Sequence, residues 1–290
     1  VGLTDAPDMK RIGLAYNPTN GAAIGLRERA LAWCAAHGLE AWAAQAGATP
    51  ELVAQLPGSD ALIVLGGDGT FLRAALAAGM VDVPILGINS GKVGFLSKAE
   101  AEALDHVLAQ VADGAYDLEP RMMLEARVLP GGAAPPDVGP EAHLALNEAA
   151  VVRGSQARVV RLEVMVDDTH VATYICDGVV VSSPTGSTGY SFSAGGPILE
   201  PTARNLVVTP VAAYLSAIRS VVVGPQHAVT VRVLAAHDCL VSIDGREEVL
   251  LQVGDTVRVT ARARPVRFIE PHGAQSFYEL LRRKAELLPS

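Results

Sequence analysis

Apolar and polar positions follow two regimes along this chain. Up to about residue 120, short apolar runs alternate with longer stretches of helical composition; beyond it, residues of opposite character alternate singly. The sharpest run is Ala61-Leu62-Ile63-Val64-Leu65, five apolar residues closed by glycines, which predicts a strand buried on both faces of a parallel sheet. Arg11–Tyr16 predicts a first strand, and the turn-rich residues 17–21 follow it. Residues 22–37 favour helix, with Gly38 as the stop. Residues 39–44 form a second strand, 50–56 a helix, 71–76 a helix, 83–89 a strand and 99–111 a helix. Strand alternating with helix is the pattern of an α/β domain, a doubly wound, Rossmann-like open sheet.

From about Arg121 the period changes. Val160, Leu162, Val164 and Val166 alternate with Arg161, Glu163, Met165 and Asp167, as in a half-buried strand. Residues 229–233 and 257–260 repeat that logic, and Asp244-Gly245 is a hairpin-type turn signal. Together they predict an all-β, β-sandwich-like domain over residues 121–265. Its Pro130-Gly131-Gly132-Ala133-Ala134-Pro135-Pro136 segment reads as a mobile surface loop. In the tail, Ser276 with Glu279 forms a capping box, and Phe277, Leu280, Leu281 and Leu288 share one helical stripe. That stripe must be buried, so the helix is expected to return to the first domain, giving domains 1–120 plus 266–290 and 121–265.

Composition narrows the function classes. Half of the 290 residues are hydrophobic, enough for a sizeable core without disulfides. The net charge is −8 and the basic residues are dispersed, which argues against nucleic acid as a partner. Cys34, Cys176 and Cys239 are far apart and read as buried thiols. Residues 1–10 lack an apolar signal core, and no run reaches membrane-spanning length. A soluble cytoplasmic protein is expected.

The candidate chemistry lies at strand ends. Gly66, Gly67 and Gly69 permit positive φ and close approach of a ligand, and Asp68 places one carboxylate among them. A helix start beside them aims free N–H groups at the same spot, where open α/β sheets bind ligands. The competing structural reading is a tight turn with Asp68 as a local cap. Leu72 occupies the place of the third glycine of a dinucleotide fingerprint, and no phosphate-loop lysine motif occurs. A second glycine loop, Ser90-Gly91-Lys92-Val93-Gly94-Phe95-Leu96, follows the strand at 83–89, so both loops can border one crevice. In the second half, Asn147-Glu148 offers an amide and a carboxylate suited to a base edge or ribose hydroxyls. The stretch from Asp177 to Ser191 is rich in hydroxyls and glycines, with Ser193-Ala194-Gly195-Gly196-Pro197 after it; polar loops of this kind carry function.

These pieces resemble the NAD kinases. The resemblance rests on Gly66-Gly67-Asp68-Gly69-Thr70, on Gly91 through Leu96, on Asn147-Glu148, on Asp177 through Pro197 and on Val241-Ser242-Ile243-Asp244-Gly245, in the same order along most of the chain. The first motif alone is shared with lipid kinases and phosphofructokinases. The resemblance implies transfer of a phosphoryl group from ATP or polyphosphate to the adenosine ribose 2′-hydroxyl of NAD, with Mg²⁺ as helper. The seven histidines are scattered and the sequence shows no cluster of metal ligands, so Mg²⁺ would arrive largely with the donor phosphates. The resemblance further implies that Asp68 accepts the hydroxyl proton, with Gly69 against the substrate and Gly66, Gly67 and Thr70 in the donor loop. Asn147 and Glu148 would hold the nucleoside, and Asp177 the dinucleotide. Thr188, Gly189, Tyr190, Ser191, Phe192 and Ser193 would line the adenine side, with Ala212 and Arg246 as further contacts. Arg73 and Arg158 would offset phosphate charge, and the assembly would be a homodimer or homotetramer. Three positions depart from the pattern: Gly189 where alanine is usual, Ile175 where several relatives are basic, and Arg246 where some carry glutamine. The rival readings are a lipid or sugar kinase built on the same turn, which has no use for Asn147-Glu148, and a non-catalytic dinucleotide sensor indifferent to Asp68→Asn.

Overall fold

A computed structural model of the chain describes residues 9–91, 94–131, 141–154, 158–214 and 216–286. Residues 1–8, Lys92 and Val93, the Pro/Gly-rich loop beyond Gly131, and Leu288 lie outside them. The chain divides into two compact units, Val1–Pro120 with Val266–Ser290, and Arg121–Pro265.

The first unit opens with β1 (Arg11–Tyr16), α1 (Gly21–Ala36), β2 (Glu40–Gln45), α2 (Thr49–Gln55), β3 (Ala61–Leu65), α3 (Asp68–Val81), β4 (Ile85–Asn89), β5 (Ala99–Glu100), α4 (Leu104–Ala112) and β6 (Tyr116–Arg121). The apolar run of β3 is central, and every one of its residues is 0% exposed. Asn20 caps α1 by accepting the N–H groups of Ala22 and Ala23, and Gly38 ends it at a φ of 73°. The single helix expected over 99–111 is not formed. Ala99 and Glu100 instead extend the sheet by pairing in parallel with Ile88 and Asn89, a tight turn spans Ala101–Ala103, and the helix begins at Leu104. Alanine is the best helix former, but propensity is a weak term that yields here to the open ladder partners at the end of β4.

The second unit contains β7 (Leu124–Leu129), β8 (His143–Ala145), β9 (Glu148–Arg153), β10 (Val160–Val166), β11 (Thr169–Cys176), β12 (Gly178–Ser182), the short α5 (Tyr190–Ser193), β13 (Leu206–Val211), β14 (Val221–Val223), β15 (Val229–Ala235), β16 (Cys239–Ile243), β17 (Glu247–Leu251) and β18 (Thr256–Ala261). They build two six-stranded sheets, in the orders β11-β10-β15-β18-β7-β8 and β14-β13-β12-β9-β16-β17. The pairing is antiparallel throughout the ladders around β10 and β12. One core joins both sheets: Leu162, Val231 and Val257 from the first meet Val151, Val179, Val208 and Val241 from the second. That is the sandwich the two-residue period predicts. The hairpin turn between β16 and β17 puts Asp244 and Gly245 at φ of 50° and 63°, with the Arg246 N–H donating to the Ile243 carbonyl.

The chain then returns to the first unit. β19 (Val266–Pro271) enters the first sheet between β4 and β6, giving the order β2-β1-β3-β4-β19-β6 with β5 beside β4. On one face α1 and α4 pack through Leu26, Ala30, Leu104 and Leu108, while α2 and α3 pack on each other. The last helix, α6 (Phe277–Glu286), starts with the expected capping box: the Glu279 carboxylate accepts the Ser276 N–H at 2.8 Å, and the Ser276 hydroxyl accepts the Glu279 N–H at 3.3 Å. Leu280 is buried, the Phe277 ring lies 6.4 Å from that of Phe95, and the Lys284 ammonium sits 4.4 Å over the same ring. All three cysteines are free and buried. Burial pushes the Cys176 thiol up to about 12 and that of Cys239 to about 11, so both stay protonated and inert.

Candidate functional site

In the first unit the site is a carboxylate gripped by two loops. Gly66 ends β3 where a β-carbon would lie 2.7 Å from Thr70 Oγ1, so a side chain has no room there. Gly67 and Gly69 differ: a β-carbon on either meets nothing within 4 Å. Gly67 takes a φ of −85° as the N-cap of α3, and Gly69 lies inside that helix. Neither therefore uses the positive φ that glycine permits, and their bareness leaves the backbone open on the outside. The helix starts at Asp68 rather than at Phe71, with the Thr70 and Phe71 N–H groups donating to the Gly67 carbonyl.

Asp68 does not cap its own helix. Its Oδ2 accepts the Phe95 N–H at 2.8 Å and its Oδ1 the Leu96 N–H at 3.2 Å. Gly94 has no space for a side chain because the carboxylate fills it. The second glycine loop is thus moulded on the acid of the first. Its stem is pinned by Asn89, which accepts the Gly91 N–H at 3.1 Å and donates to the Gly91 carbonyl at 3.0 Å, and by Lys98, whose N–H donates to the Gly87 carbonyl. Arg73 is exposed one helical turn beyond Asp68. Lys92, the cation of the second loop, lies outside the described residues.

The second unit organises its polar cluster around Asp244. Its Oδ2 accepts the Leu146 N–H at 2.9 Å, and Oδ1 accepts those of Asn147 and Glu148 at 2.8 and 3.0 Å. The Asp244 N–H returns a bond to the Glu148 carbonyl, and Arg246 Nη2 lies 3.5 Å from Asp244 Oδ2 while donating to the Leu144 carbonyl. Spacing marks Asp244 as a turn residue only. Its hold on a segment 97 positions away leaves no local signature, and sequence reasoning missed it.

Within this cluster Asn147 Oδ1, Glu148 Oε2 and Arg246 Nε are buried and have no hydrogen-bond partner among the described residues. Buried polar atoms are nearly always paired, so three orphans in one cluster point to groups supplied by a ligand. Burial, with the charge of Asp244 adding to it, pushes the Glu148 carboxyl up to about 8. Burial also raises Asp244, against the three N–H groups and Arg246 that favour its ionised form.

The hydroxyl-rich loop has a structural reason for part of its polarity. The Ser187 hydroxyl donates to the Pro184 carbonyl and accepts the Leu199 N–H, Ser183 Oγ accepts the Gly186 N–H, and Ser191 Oγ lies 3.0 Å from Thr209 Oγ1. These buried hydroxyls hold the loop together, so part of the polarity read from the sequence as functional is structural. Gly186 presses on Asn147, where a β-carbon would come 2.2 Å from the carbonyl oxygen. Gly189 is roomier, its nearest contacts being the Gly186 carbonyl at 3.3 Å and Glu148 Oε2 at 3.5 Å.

Tyr190, Phe192 and Ser193 are exposed on α5, whereas Ser191 is buried and Thr188 donates to the Thr185 carbonyl. Burial raises the Tyr190 phenol, and the charges of Asp177 and Glu148 push the same way against Arg153, so these four side chains share one electrostatic neighbourhood. Asp177 accepts from Arg153 Nε at 2.9 Å. Arg158 and Ala212 are exposed, the latter at a φ of 49°. Among the described residues no group of three or more His, Cys, Asp and Glu could hold a metal, and no helix is long and apolar enough to cross a membrane.

Family models and relatives agree on one lineage. Residues 34–116 match the ATP-NAD kinase N-terminal domain and residues 146–271 the ATP-NAD kinase C-terminal domain. The chain is 45% identical over 226 residues to an NAD kinase of Symbiobacterium thermophilum, covering 78% of each chain. It is 34% identical over 275 residues to one of Dehalococcoides mccartyi, covering 95% of each. An Archaeoglobus fulgidus NAD kinase solved in complex with ATP superposes with a TM-score of 0.76 at 26% identity, covering 96% of this chain and all of that one. The yeast NADH kinase complexed with NADH shares the fold, with a TM-score of 0.81 at 19% identity over 97% of this chain and 87% of that one.

Proposed function

The chain belongs to the NAD kinase family and phosphorylates NAD to NADP with ATP, and from that premise we propose that Asp68 accepts the proton of the adenosine ribose 2′-hydroxyl as that oxygen takes the phosphoryl group. The observation that carries this reading is the grip on Asp68: each carboxylate oxygen receives one main-chain N–H, from Phe95 and from Leu96. A carboxylate so held keeps lone pairs for a hydroxyl while losing its freedom to turn away. General base catalysis of this kind is worth about 10²- to 10⁴-fold. Positioning and charge neutralisation supply the rest in phosphoryl transfer.

The bare backbone at Gly67 and Gly69 supports close approach of the substrates, with Gly66, Gly67 and Thr70 shaping the donor loop. Thr70 is buried beneath Gly66, so its part is shape. In the second unit the orphaned Asn147 and Glu148 bind the nucleoside. Tyr190 offers a ring to the adenine, with Thr188, Gly189, Phe192 and Ser193 around it and Ser191 holding the loop beneath. Asp177, Ala212 and Arg246 add dinucleotide contacts, and Arg73 and Arg158 offset phosphate charge. Mg²⁺, carried by the donor phosphates rather than by protein ligands, would supply neutralisation of their charge. Asp68, a single carboxylate already occupied by two N–H groups, fits a proton acceptor beside a donor-borne ion. Polyphosphate is a further donor for the same loop, the assembly is a homodimer or homotetramer, and the compartment is the cytoplasm.

Incubation with NAD, ATP and Mg²⁺, assayed for NADP beside Asp68→Asn, tests this reading. A loss of at least 10²-fold in the variant with NAD affinity retained is expected; equal product from both proteins removes Asp68 from the role.

A further inference from the structure

A hollow of about 290 Å³ opens in the first unit, walled by α4, β5, the turn after β19 and α6. We propose that it is a second, non-catalytic site for a small phosphorylated metabolite, coupled to Asp68 through the glycine loop. Asn89, Ser97, Lys98, His106, Gln110 and Arg283 line it. The Ser97 hydroxyl is buried and has no hydrogen-bond partner among the described residues. Lys98 Nζ, its side chain only 7% exposed, lies 2.7 Å from Glu270 Oε1, a pairing that leaves the ammonium two further N–H donors. Arg283 lies 3.5 Å from Glu100 with both side chains half open to solvent. An exposed pair of this kind holds weakly, and a phosphate dianion displaces the carboxylate by offering the guanidinium a doubly charged partner. A hydroxyl, an ammonium and a guanidinium at one hollow form a phosphate-binding set. Leu280 and Val107 beside them suit a few carbon atoms, and the volume sits at the small end of ligand sites.

The coupling is in the chain path. The hollow touches both stems of the loop that holds the acid. Asn89 grips Gly91 on one side. On the other, Ser97 and Lys98 directly follow Phe95 and Leu96, whose N–H groups bind Asp68. A phosphate hydrogen-bonded to Ser97 therefore pulls on the peptide next to the acid's own donors. A ligand that binds this arrangement of the loop more tightly than any other raises its population.

The test uses the full chain with glycerol 3-phosphate and inorganic phosphate as probes, read by calorimetry and by the amide resonances of residues 95–98. Arg283→Gln removes the exposed cation, and Ala103→Phe fills the hollow without changing charge. Expected are saturable binding of glycerol 3-phosphate, movement of the Phe95 and Leu96 amides, and affinity at least tenfold lower in both variants. Without added probe, NADP formation by Arg283→Gln matches wild type, while in wild type alone glycerol 3-phosphate changes the rate at least twofold. The rate arm rests on the role given to Asp68; the binding arm does not. Asp68→Asn keeps the calorimetric signal if the hollow is the site, whatever its activity. Absent binding, or binding that Arg283→Gln leaves untouched because phosphate sits in the donor loop, overturns the proposal. Should Ala103→Phe fail to fold, Arg283→Gln, an exposed position, decides alone.

Discussion

A β-carbon placed on Gly94 would lie 1.9 Å from Asp68 Oδ1, so the acid of the first loop occupies the side-chain space of a residue in the second. The two motifs, separate in sequence, are one device. Gly94→Ala must expel the carboxylate from its two N–H donors. Displacement of a reacting group by about 1 Å costs on the order of 10²-fold in rate. We expect kcat to fall by about that factor, with the Kd for NAD, measured by calorimetry, changing far less.

Glu148 gives the pH dependence of stability a definite sign. Folded, its carboxyl holds a proton up to about pH 8, whereas an unfolded one releases it near 4.5. Between those values the folded chain binds more protons than the unfolded one, so stability is highest below the window and falls as pH rises through it. The span amounts to a few kcal/mol at most, by order of magnitude. Glu148→Gln keeps the shape and removes the titration, and urea unfolding from pH 5 to 8.5 is expected to show a flatter slope in the variant.

Two glycines of the hydroxyl-rich loop make a contrasting pair. At Gly186 an added methyl meets the main chain of Asn147, and overpacking against backbone costs about 1–3 kcal/mol or more. At Gly189 the tightest neighbour is at 3.3 Å, a gap that closes with a shift of tenths of an ångström. Thermal unfolding is expected to show Gly186→Ala several degrees below wild type and Gly189→Ala close to it, so alanine, usual here in the resemblance, fits this fold.

The capping box of α6 carries the third stability prediction. Ser276→Ala removes the acceptor of the Glu279 N–H and one donor to its carboxylate, at a cost of about 1 kcal/mol. Hydrogen exchange is expected to quicken first in the leading turn of α6, while the amides of β3 keep their protection.

Both fold classes were legible because burial on two faces and burial on one leave different periods, as Ala61–Leu65 and Val160–Val166 show. Residues 99–111 misled because alanine, glutamate and leucine suit a helix, while the ladder that captures Ala99 and Glu100 is offered by the preceding strand β4 and leaves no mark in the periodicity of residues 99–111. The acid at 68 was legible from its glycines, but its partners were not, since main-chain N–H groups carry no side-chain identity. Asp244 was hidden for the same reason. The serines of 183–191 misled in the other direction, because a hydroxyl bonded inside a loop and one turned toward a ligand are the same letter.

The position of β19 governs the order of assembly during synthesis. Its slot between β4 and β6 stays vacant until the whole strand-rich lobe, residues 121–265, has been made, so of the two lobes the one begun first is finished last. Until then β4 lacks its β19 partner at Ile85, although β5 already pairs with Ile88 and Asn89, and such open main-chain donors and acceptors are the kind of surface on which nascent chains associate wrongly. The strand-rich lobe, contiguous in sequence, needs no such wait, and a chain cut before Val266 would leave it whole while the first lobe stays unclosed.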